Sequence, residues 1–275
     1  MLKIGALLMA IGLIIATLAI SGRIARVKEV RKGLARLQRS ADNGSPKVYN
    51  KLLIQDLPNP VQRYFEYALV DGQNYIQYAQ LRHTGYFRQK PTQKWSPITG
   101  EEYFTINPPG FFWLGKIPWV SAVDQYIEGK GNLKVKLLSV IPVVNAAGEA
   151  TNQGEFLRWL AEAVWYPTAL LPSETLAWEA IDDHSAKIIY NDKHVKAEGV
   201  FHFNKVGQIT HFTTYRYMDD ERLEGWTTHC KDYRLIHGMQ VPFYAEVSWN
   251  LTEGDFCYAK FQVEDLQYDV LSKQD

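Results

Sequence analysis

The sequence predicts a mainly β protein: a large curved antiparallel sheet with one or two packed helices and an N-terminal transmembrane helix. Three observations support this fold class. An unbroken apolar run opens the chain, about a dozen segments rich in alternating aromatic and aliphatic residues follow it, and turn-forming residues separate those segments. Because the connections are short, we expect about 10–12 strands in sequence-adjacent order, forming a half-barrel-like sheet.

The transmembrane helix is predicted over residues 1–22. Residues 4–20 are apolar throughout, and with their flanks they approach the roughly 20 residues that a bilayer core requires. A cleaved signal peptide is the alternative, with Lys3 as its basic region and residues 19–21 before the cut. The run is longer than the ~7–15 residues of a signal-peptide core, so the sequence favours a retained anchor.

The charges beside this run predict a single-pass membrane protein with its β domain in the cytoplasm. Lys3 and the amino terminus precede the run, whereas seven basic residues and one acidic residue, Glu29, follow it within residues 23–39. Positive charge tends to stay on the cytoplasmic side of the membrane. An extracytoplasmic domain is the second reading, because large folded domains are able to override this rule.

Residues 23–56 are predicted as a basic amphipathic helix followed by a linker. The apolar positions of the helix recur every three or four residues, at Ile24, Val27, Val30, Leu34 and Leu37. One interpretation is a helix that lies along anionic headgroups, where each Lys or Arg contributes about 1 kcal/mol. The other is a homodimer through residues 24–37, formed by a short coiled coil.

The remainder of the chain is acidic. Residues 1–40 hold 8 of the 30 basic residues and 1 of the 30 acidic residues, so 22 basic and 29 acidic residues lie beyond them. Affinity for nucleic acid comes largely from neutralising phosphates. A domain with a formal charge near −7 is a poor nucleic-acid binder, and we therefore expect no nucleic-acid partner.

Residues 57–270 are predicted as one antiparallel β domain. A short helix begins at Pro60, because proline is favoured in the first helical turn. Beyond Gly72 the pattern changes to strands, and the segments PPG (108–110) and GKG (129–131) mark breaks between them. The predicted strands cover residues 75–88, 101–107, 111–117, 122–128, 133–141, 176–181, 186–191, 195–204, 208–218, 226–236, 240–251 and 256–268.

A second helix is predicted at residues 153–165, between the two groups of strands. Asn152 is the expected N-cap, and Glu155 follows three positions later in a capping-box arrangement. The helix should end at Tyr166, because a residue before proline is pushed towards an extended conformation. This helix carries every candidate ligand-binding residue of the chain.

The candidate residues share one face of that helix. At 100° per residue Glu155, Arg158 and Glu162 lie opposite the apolar face, and Trp159 and Trp165 flank them, which indicates that this face is covered as well. One interpretation is an arginine clamp for a carboxylate or phosphate headgroup, with aromatic walls for the apolar body of the ligand. The other is a set of ordinary salt bridges from the arginine to the two glutamates.

Other kinds of site have little support. The seven histidines are scattered without metal-binding spacing, and the sequence has neither a nucleotide-binding glycine motif nor a serine or cysteine nucleophile motif. We therefore expect no metal and no cofactor. Cys230 and Cys257 are expected to be free, half-buried thiols, because a meander holds them beyond the ~7 Å Cα separation of a disulfide.

An enzyme is the alternative to a binding protein, and a structural or scaffold role is the third reading. Carboxylates such as Glu162 and Glu246 would serve a hydrolase acting on a membrane-associated substrate. That reading needs two acids, or an acid and a histidine, in one pocket. Glu246 lies in an aromatic strand, either buried with a raised pKa or alternating to the solvated face.

Six segments of the chain form a recognisable set: LPNPVQRYFEYAL (57–69), INPPGFFW (106–113), D-x-Y-x-x-G-x-G-x-L (124–133), RWLAEAVWYPTALLP (158–172), WEAID (178–182) and KDYRLIHGMQVPFYAEVSWN (231–250). In this order they resemble an uncharacterised bacterial domain-of-unknown-function family that often carries an N-terminal membrane helix. The family has no established activity, so the resemblance implies no catalytic residue. At fold level it is similar to the half-barrel of lipoprotein-carrier proteins, whose concave face holds acyl chains.

The sequence therefore leads to one principal expectation. It predicts a membrane-tethered domain that binds an apolar or amphipathic ligand, such as a lipid, in a curved aromatic-lined sheet. Arg158 and the neighbouring tryptophans would lie at the headgroup end of that ligand. A concave face filled completely by its own side chains would argue against this expectation.

Overall fold

The computed structural model describes residues 22, 25–41 and 47–270. These residues form a mainly β protein in which thirteen antiparallel strands make one open curved sheet. The predicted anchor lies outside the described residues, apart from Gly22. Among the helices that are described, none is both long enough and apolar enough to cross a membrane.

The strands follow one another in the sheet as they do in the sequence, with one long-range pairing. Their bounds are β1 (Tyr78–Phe87), β2 (Ser96–Thr105), β3 (Gly110–Ile117), β4 (Val120–Ile127), β5 (Lys130–Leu137), β6 (Ile141–Ala146), β7 (Leu176–Asp182), β8 (Ser185–Asp192), β9 (Val195–Phe203), β10 (Ile209–Tyr217), β11 (Leu223–Ile236), β12 (Met239–Leu251) and β13 (Gly254–Tyr268). The meander β1–β6 joins the meander β7–β13 through antiparallel pairing of β1 with β13. Strands β6 and β7 are left as the two edges.

One predicted strand, residues 133–141, is wrong as a single element. The chain turns at Leu138 and Ser139, which have φ angles of 52° and 63°, so that β6 folds back on β5. Left-handed turns are normally indicated by glycine or asparagine, and this turn contains neither. The sequence pattern therefore could not show it.

Three α-helices accompany the sheet within the described residues: α1 (residues 25–40), α2 (Asn59–Ala68) and α3 (Glu149–Glu162). Helix α3 begins before the predicted residue 153, because the chain enters it at Gly148 with a φ of 127°. Asn152 is therefore inside the helix rather than at its N-cap. Its Oδ1 accepts a hydrogen bond from the backbone N–H of Gly131 at 2.8 Å and ties α3 to the start of β5.

The predicted amphipathic helix packs on the back of the sheet. Leu37 is buried in a cluster with Phe112, Val123 and Ile127, and Val30 and Leu34 pack against the same cluster. Ion pairs reinforce the contact, from Glu29 to Lys134 and Lys136 and from Arg36 to Glu128. The apolar seam is thus used within the chain, and a homodimer or a headgroup contact through the same residues would have to displace this packing.

Helices α2 and α3 lie on the opposite, concave face of the sheet. Their buried aromatic rings form the centre of the core, where Phe156 and Trp159 of α3 contact Tyr126, Tyr166 and Tyr190. Such ring contacts add stability beyond the burial of apolar area. The two helices cover much of the concave face, and what they leave uncovered is the site described next.

Candidate functional site

A cavity of about 270 Å³ lies between α3 and the concave face of the sheet. Both meanders line it, because β1–β5 and β10–β13 all contribute side chains. Most of its wall is apolar, and the residues that form the apolar part include Ile98, Trp113, Ile117, Val120, Ala122, Val135, Ala161, Val164, Trp165, Ala245, Val247, Ala259 and Phe261. The concave face is therefore not completely filled by its own side chains.

Trp113 is held against the cavity wall by a buried histidine. The indole Nε1 donates to Nε2 of His83 at 2.9 Å, so this nitrogen of His83 must carry no proton. Burial, with Arg158 nearby, lowers the pKa of His83 to about 4. Gly100 and Gly115 leave room for the two rings, since a Cβ at either position would come within 2.2 Å of a ring atom.

The polar wall of the cavity is organised by Arg158 of α3. Its Nη2 donates to Glu102 of β2 at 2.8 Å, its Nη1 to Asp124 of β4 at 2.7 Å, and its Nε to Glu162 at 2.9 Å. Its guanidinium also lies over the rings of Phe111 and Trp113. Three carboxyl groups from three elements therefore converge on one buried cation.

A second buried ion pair extends this wall. Arg216 of β10 donates from Nη2 to Glu155 of α3 at 3.2 Å, and its guanidinium lies over Trp226. Gly154 leaves space for the arginine, since a Cβ at that position would stand only 3.1 Å from Nε. We refer to Glu102, Asp124, Glu155, Arg158, Glu162 and Arg216 as the acidic wall.

The acidic wall holds more carboxyl groups than guanidinium groups, four against two. Burial raises the pKa of Glu102 and of Glu162, although Arg158 opposes the rise in both. Burial, followed by the neighbouring Asp124, raises the pKa of Glu155 to about 8. At neutral pH the wall thus keeps protons that solvent-exposed carboxyl groups would have released.

Several polar atoms of this wall lack a hydrogen-bond partner among the described residues. They include three carboxyl oxygens, Oδ1 of Asp124 and Oε2 of Glu155 and Glu162, and one donor, Nε of Arg216. All four residues line the cavity. Buried polar atoms normally have partners. Where a proton is retained, Glu155 shares it with Asp124 and Glu162 shares it with Glu102. In the ionised state the same oxygens are suited to a hydrogen-bond donor supplied from inside the cavity.

A more open cleft of about 380 Å³ borders the cavity, and the two share Phe87, Gln89, Leu133, Glu155, Arg216 and Tyr258. The cleft is lined by Met218–Asp220 in the β10–β11 turn and by residues beside the β1–β2 and β12–β13 turns. Ile117 and Val120, which line the cavity itself, flank the β3–β4 turn. The cavity thus communicates with the end of the sheet that carries these turns, which we call the open end.

The structure brings together four of the five predicted site residues. Glu155, Arg158, Glu162 and Trp165 line the cavity, whereas Trp159 lies in the core, where its Nε1 donates to the carbonyl oxygen of Thr105. The predicted Arg158–Glu162 salt bridge is present, but Glu155 pairs with Arg216 instead. Because α3 is covered on nearly all sides, a face assignment from helical periodicity could not separate the two tryptophans.

Sequence reasoning missed Glu102, Asp124 and Arg216. Glu102 lies two positions from the inward-facing Phe104, Asp124 two positions from Tyr126, and Arg216 four positions from Phe212. Strict alternation along the strand therefore places these charged side chains on the concave face. That pattern was a usable signal, although it could not show which partner each charge would meet.

Glu246, the other candidate acid, lies away from the cavity. Glu246 is on the outer face of β12, where Tyr244 donates to it at 2.6 Å and, with Lys260, lowers its pKa, so the solvated reading is confirmed. The two cysteines are free and half-buried, as predicted, and Cys230 lines the cavity.

The histidines are less scattered in space than in sequence. His202, His211 and His229 meet on the outer face of β9–β11, with ring centroids 4.0 and 5.3 Å apart along the series. Three neighbouring strands bring them together, which spacing along the chain does not show. No group of histidine, cysteine and acidic side chains within the described residues is arranged to hold a metal ion.

Comparison with known proteins identifies a family without an assigned activity. The model of a family of unknown function, DUF6544, matches residues 47–261, which confirms the resemblance seen in the sequence motifs. No curated protein matches the chain. Among solved structures, the chain is similar to a LolA superfamily protein from Nitrosomonas europaea, with 14% sequence identity and a TM-score of 0.45 over 77% of this chain and 93% of that chain.

Proposed function

The chain belongs to the DUF6544 family of unknown function, and we propose that its β domain binds one small amphipathic ligand in the cavity beneath α3. The observation that carries this proposal is that the cavity wall has a large apolar part and a separate polar side. Most of its wall is apolar, while one side presents buried carboxyl oxygens without hydrogen-bond partners. Small-molecule sites combine an apolar lining with a few convergent polar groups in this way.

The size of the cavity limits the ligand. Its volume of about 270 Å³ is slightly below the ~300–1,000 Å³ of typical small-molecule sites. A single short acyl or alkyl chain matches this space better than a lipid with several long chains. The apolar tail would lie against Trp165, Val247 and Phe261, with the neighbouring cleft available for any longer portion.

The acidic wall indicates the chemistry of the ligand's head. Arg158 already donates from all three of its nitrogens to carboxyl groups, so it is poorly placed to clamp a carboxylate or phosphate. The unpartnered atoms are mainly carboxyl oxygens, and a cationic head that binds them displaces the protons that the wall otherwise retains. We therefore assign Arg158 the role of holding the wall together, and we assign Glu155, Glu162 and Asp124 the role of binding a head that donates hydrogen bonds, such as an amine.

The proposal includes attachment to a membrane through residues 1–22, with the domain on the cytoplasmic side. The apolar run 4–20 and the seven basic residues that follow it support both parts. An extracytoplasmic domain is the alternative. Protease accessibility of the β domain in right-side-out and inside-out vesicles distinguishes the two, since cleavage occurs only where the domain faces the added protease.

Native mass spectrometry of the full chain, released from detergent micelles, tests ligand binding. Ala245→Phe is the matched variant, because Ala245 lines the cavity and a phenylalanine ring at this position would fill it. We expect a co-purifying small molecule on the parent chain and its loss from the variant. An adduct of equal occupancy on both chains, or none on the parent, would contradict binding in this cavity.

A hydrolase is the second candidate, favoured by one observation. The carboxyl groups of Glu155 and Asp124 face each other in the cavity, and burial raises the pKa of Glu155 to about 8, which suits a general acid near neutral pH. Hydrolysis of p-nitrophenyl octanoate by the full chain tests this candidate. Turnover that is lost in Glu155→Gln supports it, and equal rates for both chains exclude Glu155 from catalysis.

A further inference from the structure

Large apolar side chains are exposed together at one corner of the sheet. Seven of the nineteen exposed large apolar residues in the described chain lie in the β3–β4 turn and the β5–β6 hairpin: Trp119, Leu137, Leu138, Val140, Ile141, Val143 and Val144. We call these seven residues the apolar tip. Trp119 is 77% exposed and Val143 is 62% exposed. Clustered exposure of this kind marks an interaction surface, whereas single exposed apolar residues are ordinary.

The apolar tip is held in a defined shape. The backbone N–H of Leu138 donates to the carbonyl oxygen of Trp119 at 2.7 Å, which ties the two turns together. Trp119, Leu138 and Ser139 all have positive φ angles, a strained choice for residues other than glycine. The two turns thus keep these apolar side chains exposed to solvent.

Helix α1 starts beside the apolar tip. Gly22 lies against Val140, since a Cβ on the glycine would come within 2.5 Å of Val140 Cγ2. Arg26 donates from Nη1 to Oγ of Ser139, in the β5–β6 turn. The apolar run 4–20 directly precedes this point in the sequence, so a membrane anchor formed by that run would reach the bilayer next to the apolar tip.

The charges around the tip match an anionic membrane surface. Arg26 and Arg31 of α1, together with Arg82 and Lys116 of the sheet, line a groove between α1 and the outer face of β1–β3. Two acidic residues, Glu101 and Glu264, line the same groove and Asp265 pairs with Arg82, so basic residues remain in slight excess. Basic residues beside exposed tryptophan and aliphatic side chains are typical of segments that lie in the headgroup region of a bilayer.

We propose that the apolar tip inserts into the bilayer that holds the anchor, so that the open end of the cavity faces the lipid surface. Ile117 and Val120 line the cavity and flank Trp119 in the sequence, which places the inserted turn at the rim of the open end. A ligand then passes between bilayer and cavity without crossing open water. This inference rests on the membrane attachment in the proposed function and is independent of the ligand.

Depth-dependent fluorescence quenching of the full chain in vesicles of phosphatidylcholine and phosphatidylglycerol tests the inference. An environment-sensitive fluorophore is attached at Trp119→Cys, at Val143→Cys, or at the control Val206→Cys. Val206 is 64% exposed in the β9–β10 turn, beside α2 and away from the open end. The parent chain, with its two half-buried cysteines, measures background labelling.

We expect the probes at positions 119 and 143 to shift to the blue and to lose most of their fluorescence to nitroxide-labelled acyl chains, as for groups ~5–10 Å into the interface. The probe at position 206 should instead be quenched by aqueous iodide. A chain that does not float with the vesicles overturns both the attachment and the docking. A chain that floats, with position 119 as open to iodide as position 206, overturns the docking alone.

A second copy of the chain is the other occupant that could cover the apolar tip. In that case the probe at position 119 would be shielded from iodide in detergent without vesicles, and the shielding would increase with protein concentration. This result would also overturn the bilayer as the partner. Shielding of the probe that requires vesicles and is independent of protein concentration supports the bilayer as the partner.

Discussion

Arg158 of α3 and Glu102 of β2 form a buried ion pair, with 2.8 Å between Nη2 and Oε1. Only 1% of Glu102 is exposed, and the two residues are 56 positions apart in the sequence. The pair connects the helix over the cavity to the centre of the first meander. Because the same guanidinium also holds Asp124 and Glu162, the geometry of the acidic wall depends on it.

Arg158→Ala should destabilise the protein strongly. The change removes the hydrogen-bond donor of three buried carboxyl groups, and breaking a buried pair in this way costs about 3–5 kcal/mol. The matched control is Arg82→Ala, which breaks an exposed pair with Asp265 and should cost about 0–1 kcal/mol. Urea denaturation of the full chain, followed by tryptophan fluorescence, measures both values. Equal losses for the two variants would contradict a structural role for the buried pair.

An amine should bind more tightly than a carboxylate of the same chain length. At about pH 9, above the pKa of about 8 that burial gives Glu155, n-octylamine and n-octanoate differ in head charge. The ionised oxygens of Glu155, Glu162 and Asp124 then favour the cation. A charge-assisted hydrogen bond contributes about 1.5–3 kcal/mol, so we expect a preference of roughly 10- to 100-fold. Displacement of a fluorescent apolar probe from the full chain measures it, with Ala245→Phe as the cavity-filled control. Tighter binding of octanoate would reverse the assignment.

Glu155 should make the protein less stable as the pH rises. Burial and the neighbouring Asp124 raise the pKa of Glu155 to about 8 in the folded state, whereas an unfolded glutamate has a pKa of about 4.3. Below both values the carboxyl is protonated in both states. Between them only the unfolded state releases the proton, so the free energy of unfolding falls with increasing pH.

Glu155→Gln provides the test of this pH dependence, because the amide cannot ionise. The variant should gain stability relative to the parent chain between about pH 5 and about pH 8. Urea midpoints measured over that range give the difference. A difference that does not change with pH would show that Glu155 carries no raised pKa in the folded protein.

His83 should have the opposite effect at acidic pH. Burial lowers its pKa from 6.5 to about 4, so between these values only the unfolded state binds the proton and stability falls as the pH decreases. The loss approaches roughly 3 kcal/mol at pH 4, since one pKa unit corresponds to about 1.4 kcal/mol. His83→Gln, which retains an acceptor for Trp113, should be less sensitive to acid. If the parent chain and the variant lose the same stability in acid, the loss comes from groups other than His83.

Leu37→Ala should loosen α1 from the sheet. Leu37 is 2% exposed, and truncation of a buried leucine costs about 2–5 kcal/mol. Val27→Ala, at a position 46% exposed on the same helix, is the control and should have little effect. Hydrogen exchange of the α1 amides measures the loosening. A change in oligomeric state without faster exchange would instead support the dimer through residues 24–37.

The alternation of apolar and polar residues was sufficient to predict most of the strands. Eleven of the twelve predicted strands correspond to single observed strands, and the exception, residues 133–141, spans the turn between β5 and β6. Strand patterns depend on local burial on one face, which a short window of sequence records. The start of β2 was missed, since Pro97 and Gly100 disfavour a strand locally and the pairing with β1 and β3 outweighs this.

The sequence by itself determined the mainly β class, the adjacent order of most strands, and the charged face of α3, because these follow from local periodicity. Only the tertiary structure decided that β1 pairs with β13, that α1 packs on the back of the sheet, and that Glu102, Asp124 and Arg216 join Arg158 and Glu155. Alternation shows on which side of a strand a charge lies. The partner of that charge depends on which distant strands and helices are packed together, and this contact is absent from any local segment of the chain.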